Sequence, residues 1–150
     1  MNADPHDLAR FVQAQDPVWE EVQAELARGS KRSHWMWFVF PQLRGLGHSA
    51  MATHYGLTGA DEARAYLAHP LLGARLRQAC ELLLRHTERS AEQIMGVTDA
   101  LKLRSCLSLF AQVAPDDPVF ERALQRFYAG KPDPLTLRLI SDSEGRARGA

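Results

Sequence analysis

The residues with the most chemical potential in this chain stand together between Lys31 and Gln42. This run contains two of the three Trp and two of the six Phe, directly after two cations, a hydroxyl and an imidazole. An indole can stack on a base or a sugar, and neighbouring cations complement a phosphate. Lys31, Arg32 and Trp35 are therefore candidate ligand-binding residues, and His34 is a candidate acid or base.

The aromatic run also fits a second interpretation, a buried connector that fills the gap between helices. We favour the core interpretation for Trp37, Phe38 and Phe40. His34 and Trp35 differ, because they follow the cations at the point where exposure of the chain should begin. The sequence alone leaves open whether the run is core or pocket wall.

A polar stripe runs along an apolar helix predicted over residues 98–113, where Asp99, Lys102, Ser105 and Ser108 recur every three residues. Burying such groups costs free energy unless they are paired or face a cavity. The favoured interpretation is an Asp99–Lys102 ion pair, with both serines bonded back to the helix backbone. In the other interpretation the stripe lines a site, and Lys102 and Ser105 bind a ligand.

The elements that must position these residues are predicted to be helices. Asp before Pro is a favourable helix start, because the carboxylate caps free N–H groups and Pro lacks one. A helical spacing of apolar residues follows each of four such pairs: Asp4-Pro5, Asp16-Pro17, Asp117-Pro118 and Asp133-Pro134. Further starts are a capping box at Ser90–Gln93 and Pro70 after His69.

No stretch alternates strictly between apolar and polar residues, so no sheet is expected. The fold class is therefore all-α, a compact single-domain bundle of about seven or eight helices over residues 1–140. The polar tail, residues 141–150, is predicted to be disordered. The predicted core consists of these residues: Phe11, Trp19, Trp37, Phe38, Leu76, Leu83, Leu103, Leu107, Phe110, Leu124 and Phe127.

Composition narrows the function classes. The chain has 150 residues and a formal net charge of zero, which argues against bulk nucleic-acid binding and membrane attraction. Cys80 and Cys106 are predicted to be buried free thiols in a reducing compartment. The histidines form no metal-binding motif, and no phosphate-binding loop or cofactor motif occurs. We expect a soluble, cytoplasmic protein without metal, cofactor or membrane partner.

Several segments resemble the family called domain of unknown function 1810. The resemblance is carried by the run from Lys31 to Leu43, by Tyr55-Gly56-Leu57, by the segment Ala63–Gly73, and by Asp99 with Lys102-Leu103-Arg104-Ser105. It extends from about Asp7 to Ile140. It implies a mainly helical fold and no established activity.

A weaker, partial likeness links the stretch from Asp99 to Leu124 with the NADAR family of helical proteins. That likeness implies a connection to ADP-ribose and to cleavage of N-glycosidic bonds. Such cleavage requires a carboxylate near the oxocarbenium-like transition state. Asp99 is the acid within the matched motifs, so Asp99 and His34 are the candidate catalytic residues.

Two functions of different classes remain open. The first is a nucleotide- or ADP-ribose-like ligand-binding protein; in its catalytic form it is an N-glycosidic hydrolase with Asp99 and His34 as catalytic residues. Its ligand-binding residues would be Lys31, Arg32, Trp35, Tyr55, Lys102 and Ser105. The second is a non-catalytic helical module that binds a partner protein. The first requires the polar groups to converge on one concavity, and the second requires an exposed apolar surface.

Overall fold

The structure is a computed structural model that describes the backbone of residues 3–149 and the side chains of residues 3–144. It contains a 3₁₀ turn (Asp16–Val18) and these α-helices: α1 (Ala9–Gln15), α2 (Trp19–Arg28), α3 (Met36–Val39), α4 (Ala50–His54), α5 (Ala60–Ala68), α6 (Pro70–Leu84), α7 (Ala91–Met95), α8 (Val97–Val113), α9 (Pro118–Tyr128) and α10 (Pro134–Gly149).

The all-α prediction is confirmed, because the described residues form no sheet and only one isolated bridge, between Leu43 and Leu57. The described residues form ten α-helices, more than the seven or eight predicted. The excess lies in short helices such as α3, α4 and α7, which have four or five residues each. None of the described helices is long and apolar enough to cross a membrane.

The Asp-Pro pairs begin helices in different ways. Asp4 accepts hydrogen bonds from the backbone of Leu8 (2.7 Å) and Ala9 (2.9 Å) at the start of α1. Asp133 accepts from the backbone of Thr136 (3.0 Å) in the first turn of α10. Asp117 makes no capping bond at the start of α9 and instead pairs with Arg77 at 2.6 Å. Pro118 and Pro134 are the first residues of α9 and α10, whereas Pro5 lies four residues before α1 and Pro17 lies in the 3₁₀ turn before α2, so Pro begins only two of these four helices.

Helix α8 is the centre of the fold and packs against α5, α7, α9 and α10. Eight of the eleven predicted core residues are buried, and the other three, Trp19, Trp37 and Phe127, are half-buried. The two thiols, Cys80 and Cys106, are free and buried as predicted. Burial raises the pKa of both, so neither is a reactive thiolate.

Residues 141–149 are helical in the structure, and the predicted disorder of the tail stays a prediction. Helix α10 continues through Ser141 to Gly149, while Ala150 lies outside the described residues. Ile140 is buried against the core, and Arg64 donates to the Glu144 carboxylate at 2.8 Å. The helix continues because neither Pro nor Gly interrupts it before Gly145 and because this contact with α5 holds its outer part.

Candidate functional site

Glu25 of α2 organises the loop that leads into α3. Its carboxylate is 1% exposed. Oε1 accepts from the backbone N–H of Arg32 (2.8 Å) and Ser33 (3.0 Å) and from the indole Nε1 of Trp35 (3.0 Å). Oε2 accepts from the Ser33 hydroxyl at 2.6 Å. One buried carboxylate therefore fixes the loop and the position of the indole.

These contacts determine the pKa of Glu25. Burial alone would raise it, because a carboxylate loses hydration in the protein interior. The hydrogen bonds from Ser33, Arg32 and Trp35 outweigh burial and lower the pKa to about 2, from an ordinary value of 4.5. Glu25 is therefore ionised in the folded protein at any pH well above 2.

We expect acid to destabilise the protein through Glu25. Because its folded pKa is lowered, its stabilisation is fully present above pH 4.5 and is lost as the pH falls towards 2. The loss should reach about 3 kcal/mol, at roughly 1.4 kcal/mol for each pKa unit. Urea unfolding measured between pH 4.5 and 2 should show that the difference in free energy of unfolding between the wild type and Glu25→Gln shrinks as the pH falls. The control Glu20→Gln, at an exposed position on α2, should show the same pH dependence of stability as the wild type. A difference between the wild type and Glu25→Gln that did not change with pH would contradict the lowered pKa of Glu25.

The structure exchanges the roles predicted for two tryptophans. Trp35, predicted as a stacking wall, is 1% exposed and packs near Phe40, with ring centroids 6.1 Å apart. Trp37, predicted as core, is half-buried and lines a crevice. Glu25 supplies a buried acceptor for the Trp35 N–H, which permits burial of the whole ring, so Trp35 as placed offers no exposed face for stacking.

Two lysines share the carboxylate of Asp99. Lys31 Nζ lies 2.8 Å from Asp99 Oδ2 and also donates to the Ser33 carbonyl at 2.6 Å. Lys102 Nζ lies 3.7 Å from Asp99 Oδ1, beyond hydrogen-bond distance. The predicted Asp99–Lys102 pair is therefore present, but Lys31 holds the carboxylate more closely.

Each of these ammonium groups lies over a tryptophan ring. Lys31 Nζ is 4.7 Å from the Trp35 ring centroid, and Lys102 Nζ is 5.0 Å from that of Trp37. The Lys31 side chain is 6% exposed, whereas that of Lys102 is 24% exposed and donates no hydrogen bond to any described residue. Lys31, Lys102 and Asp99 together carry a net charge of +1. Lys102 is the less neutralised of the two lysines, because it lies farther from the Asp99 carboxylate.

The crevice at Lys102 lies between α3, α4 and α8. The volume of the crevice is about 10 Å³, which is enough for about one water molecule. Met36 and Phe40 contribute apolar walls, and its polar lining residues are Trp37, Gln42, Tyr55 and Lys102. Neither Asp nor Glu is among the described residues that line it.

One buried polar group of the crevice lacks a protein partner in the described part of the chain. Trp37 Nε1 is the only buried side-chain nitrogen or oxygen without a hydrogen bond there. The side chains of Gln42 and Tyr55 and the Lys102 ammonium also make none. Because buried polar groups are normally satisfied, the unpaired Trp37 N–H indicates a site for a hydrogen-bond acceptor, which can be a single water or a ligand oxygen.

An open groove of about 360 Å³ adjoins the crevice and shares Gln42 and Lys102 with it. The polar stripe of α8 reaches this groove at Ser105. Ser105 Oγ lies 3.3 Å from the Leu101 carbonyl and 3.4 Å from Asp133 Oδ2, and Ser108 donates to the Arg104 carbonyl at 2.7 Å. Both serines therefore bond back to the helix, as the favoured interpretation predicted.

The structure brings together only part of the predicted site. Tyr55 and Lys102 line the crevice, and Ser105 lines the groove. Arg32 and His34 are exposed on the loop before α3, and neither residue lines the crevice or the groove.

The predicted catalytic pair is not assembled at the crevice. Asp99 lies behind Lys102, held by its two ion pairs, and lines neither concavity. His34 follows Ser33, whose backbone and hydroxyl are fixed on Glu25, and its ring is left in solvent. No group of metal-ligating side chains occurs among the described residues.

Sequence reasoning missed Glu25, Trp37 and Gln42. One signal was present for Glu25, because it stands beside Leu26 and three residues after Val22, on the apolar face of α2. A carboxylate at a core position must have partners. Gln42 carries no comparable signal, since it follows Pro41 in an irregular segment.

Comparisons with known proteins agree with the helical fold. Residues 5–140 match the model of a family described as "Protein of unknown function (DUF1810)". The crystal structure of a conserved hypothetical protein from Mycobacterium tuberculosis is similar, with 48% identity and a TM-score of 0.91. The match covers 92% of this chain and 99% of that one. No curated protein is significantly similar to the chain.

Proposed function

We propose that this chain, which belongs to the DUF1810 family whose description specifies no activity, binds a small anionic ligand in the crevice. The ligand is of the nucleotide or ADP-ribose class. Lys102 and Trp37 are the central binding residues, and Tyr55 and Gln42 supply further hydrogen bonds. The predicted residues Lys31 and Asp99 act behind Lys102 and position it.

The observation that carries the proposal is the unpaired indole N–H of Trp37 beside an under-neutralised ammonium group. A buried N–H without an acceptor costs about 1–3 kcal/mol. A ligand oxygen that accepts from Trp37 Nε1 and from Lys102 would remove this cost and form a charge-assisted hydrogen bond. A neutral or cationic ligand would gain much less from the same pair.

The groove that adjoins the crevice favours a ligand that also carries a ring. The exposed leucines Leu101 and Leu135 line this groove together with Lys102. An apolar wall next to a cation suits a ligand that combines a ring with a negative charge. Nucleotides and ADP-ribose combine a planar base with phosphate oxygens, which is why we propose this class.

We propose binding without hydrolysis. Cleavage of an N-glycosidic bond, implied by the NADAR likeness, needs a carboxylate close to the reacting carbon. The described residues of the crevice include none, and the Asp99 carboxylate is occupied by Lys31 and Lys102. The adjoining groove contains Asp133, whose Oδ2 already caps α10 by accepting from Thr136 at 3.0 Å.

A second candidate function, a protein-interaction module, is favoured by an exposed apolar surface beside the groove. Val97 is 71% exposed, Leu101 64% and Leu135 45%. Exposed apolar clusters of this kind are typical of interaction sites. The two functions are distinguished by whether binding depends on Lys102 or on these side chains alone.

We expect Lys102→Met to weaken the binding of adenosine monophosphate by about tenfold or more, since charged hydrogen bonds contribute about 1.5–3 kcal/mol. Trp37→Phe, which keeps a ring and removes the N–H, should weaken it several-fold. Isothermal calorimetry measures both effects, and thermal unfolding verifies that the variants are folded.

The matched control is Arg32→Met, which removes an exposed cation that does not line the crevice. It should bind the nucleotide as the wild type does. A wild type that binds neither adenosine monophosphate nor ADP-ribose would contradict the proposal. So would equal losses of affinity in Arg32→Met and Lys102→Met.

A further inference from the structure

We infer that the ligand is held by one end: a terminal phosphate stands at the crevice, and the neutral ring body lies in the adjoining groove along α8. This inference rests on the proposed function and specifies the ligand further. It distinguishes nucleoside monophosphates from ligands whose phosphates are internal, such as ADP-ribose.

The sizes of the two concavities support this orientation. The crevice admits about one water-sized group, whereas the groove has about 360 Å³. A volume of that order lies at the lower end of small-molecule sites, roughly 300–1,000 Å³. One oxygen of a terminal phosphate can enter the crevice. An internal pyrophosphate carries a bulky group on either side, so its non-bridging oxygens approach the crevice with more steric hindrance than those of a terminal phosphate.

The charges of the groove support the same orientation. Arg104 and Asp133 both line it and offset each other. Arg104 already donates to the carbonyls of Lys131 and Pro132, both at 2.9 Å. Asp133 faces the groove as a carboxylate whose charge cancels that of Arg104, so the pair offers a second phosphate no net positive charge. The excess positive charge lies at Lys102, on the boundary between groove and crevice.

The apolar walls of the groove suit a neutral ring. Leu101 of α8 and Leu135 of α10 are 64% and 45% exposed, and both line it. Covering leucine surface with a base is favourable because apolar area is removed from water. The hydroxyls and N–H groups of a nucleoside can donate to Asp133, which a phosphate cannot do.

The test compares adenosine monophosphate, adenosine, ADP-ribose and inorganic phosphate by calorimetry. Adenosine monophosphate should bind at least about tenfold more tightly than adenosine or ADP-ribose. Leu101→Ser should weaken its binding about fivefold and leave that of inorganic phosphate unchanged, because only the ring touches the groove. Leu71→Ser, at an exposed position on α6 outside the groove, is the matched control and should change neither.

Two results would overturn the orientation alone: ADP-ribose binding as tightly as adenosine monophosphate, or no effect of Leu101→Ser on the nucleotide. If binding still depended on Lys102 in those cases, the proposed function would stand. If none of the four compounds bound the wild type, both the orientation and the proposed function would be overturned.

Discussion

Glu25→Ala should lower the free energy of unfolding by about 4 kcal/mol, a large fraction of the stability of a typical domain. The substitution removes the acceptor for two backbone N–H groups, the Ser33 hydroxyl and the indole of Trp35. Each buried donor left unpaired costs about 1–3 kcal/mol, partly recovered where water enters. Urea unfolding measures the difference in free energy of unfolding when both proteins are analysed with the same dependence of that free energy on urea concentration.

Two further variants distinguish the effect of losing the hydrogen bonds from the effect of shortening a side chain on α2. Glu20→Ala, on the exposed face of α2, should change stability by less than about 0.5 kcal/mol. Glu25→Gln keeps one oxygen acceptor and should lie between the wild type and Glu25→Ala. If Glu25→Ala cost no more than Glu20→Ala, the carboxylate would not organise the loop before α3.

Gly73→Ala should destabilise the protein by about 3 kcal/mol, although Ala is the better helix former. In an ordinary helix interior the change would stabilise by about 1 kcal/mol. Here the added Cβ would lie far inside van der Waals contact with the Leu67 carbonyl oxygen, and the Leu67 carbonyl carbon would be 3.0 Å away. Backbone at the junction of α5 and α6 must shift to relieve this overlap.

The adjacent residue provides the comparison. Ala74→Gly, at an exposed position of α6, should cost about 1 kcal/mol through helix propensity alone. Thermal unfolding should therefore rank Gly73→Ala well below Ala74→Gly. A Gly73→Ala protein more stable than the wild type would show that α5 and α6 are not in this close contact.

The helix starts could be predicted because their causes are local. Ser90 and Gln93 form the expected capping box, and α6 begins at Pro70. A cap or a fixed φ acts within one turn, so the residues that cause it are adjacent in the chain. The all-α class follows from such signals summed along the sequence.

The site was predicted less well because its causes are long-range. Whether Trp35 or Trp37 is buried depends on which indole meets Glu25, and periodicity carries no information about that contact. The same holds for Lys31, which reaches Asp99 only when α8 packs against the loop before α3. Lys102 and Tyr55, which line the crevice, could be named as candidates because a cation in a polar stripe and an amphipathic ring each indicate a possible site by their own chemistry.

The most direct test of the proposed binding crevice is the indole N–H region of a proton–nitrogen NMR spectrum. The three Trp give three signals, and Trp37→Phe identifies that of Trp37. On addition of adenosine monophosphate the Trp37 signal should move, because its unpaired N–H gains an acceptor. The Trp35 signal should stay in place, since Glu25 already holds it. A Trp37 signal that does not move at a nucleotide concentration that saturates the protein would contradict the account.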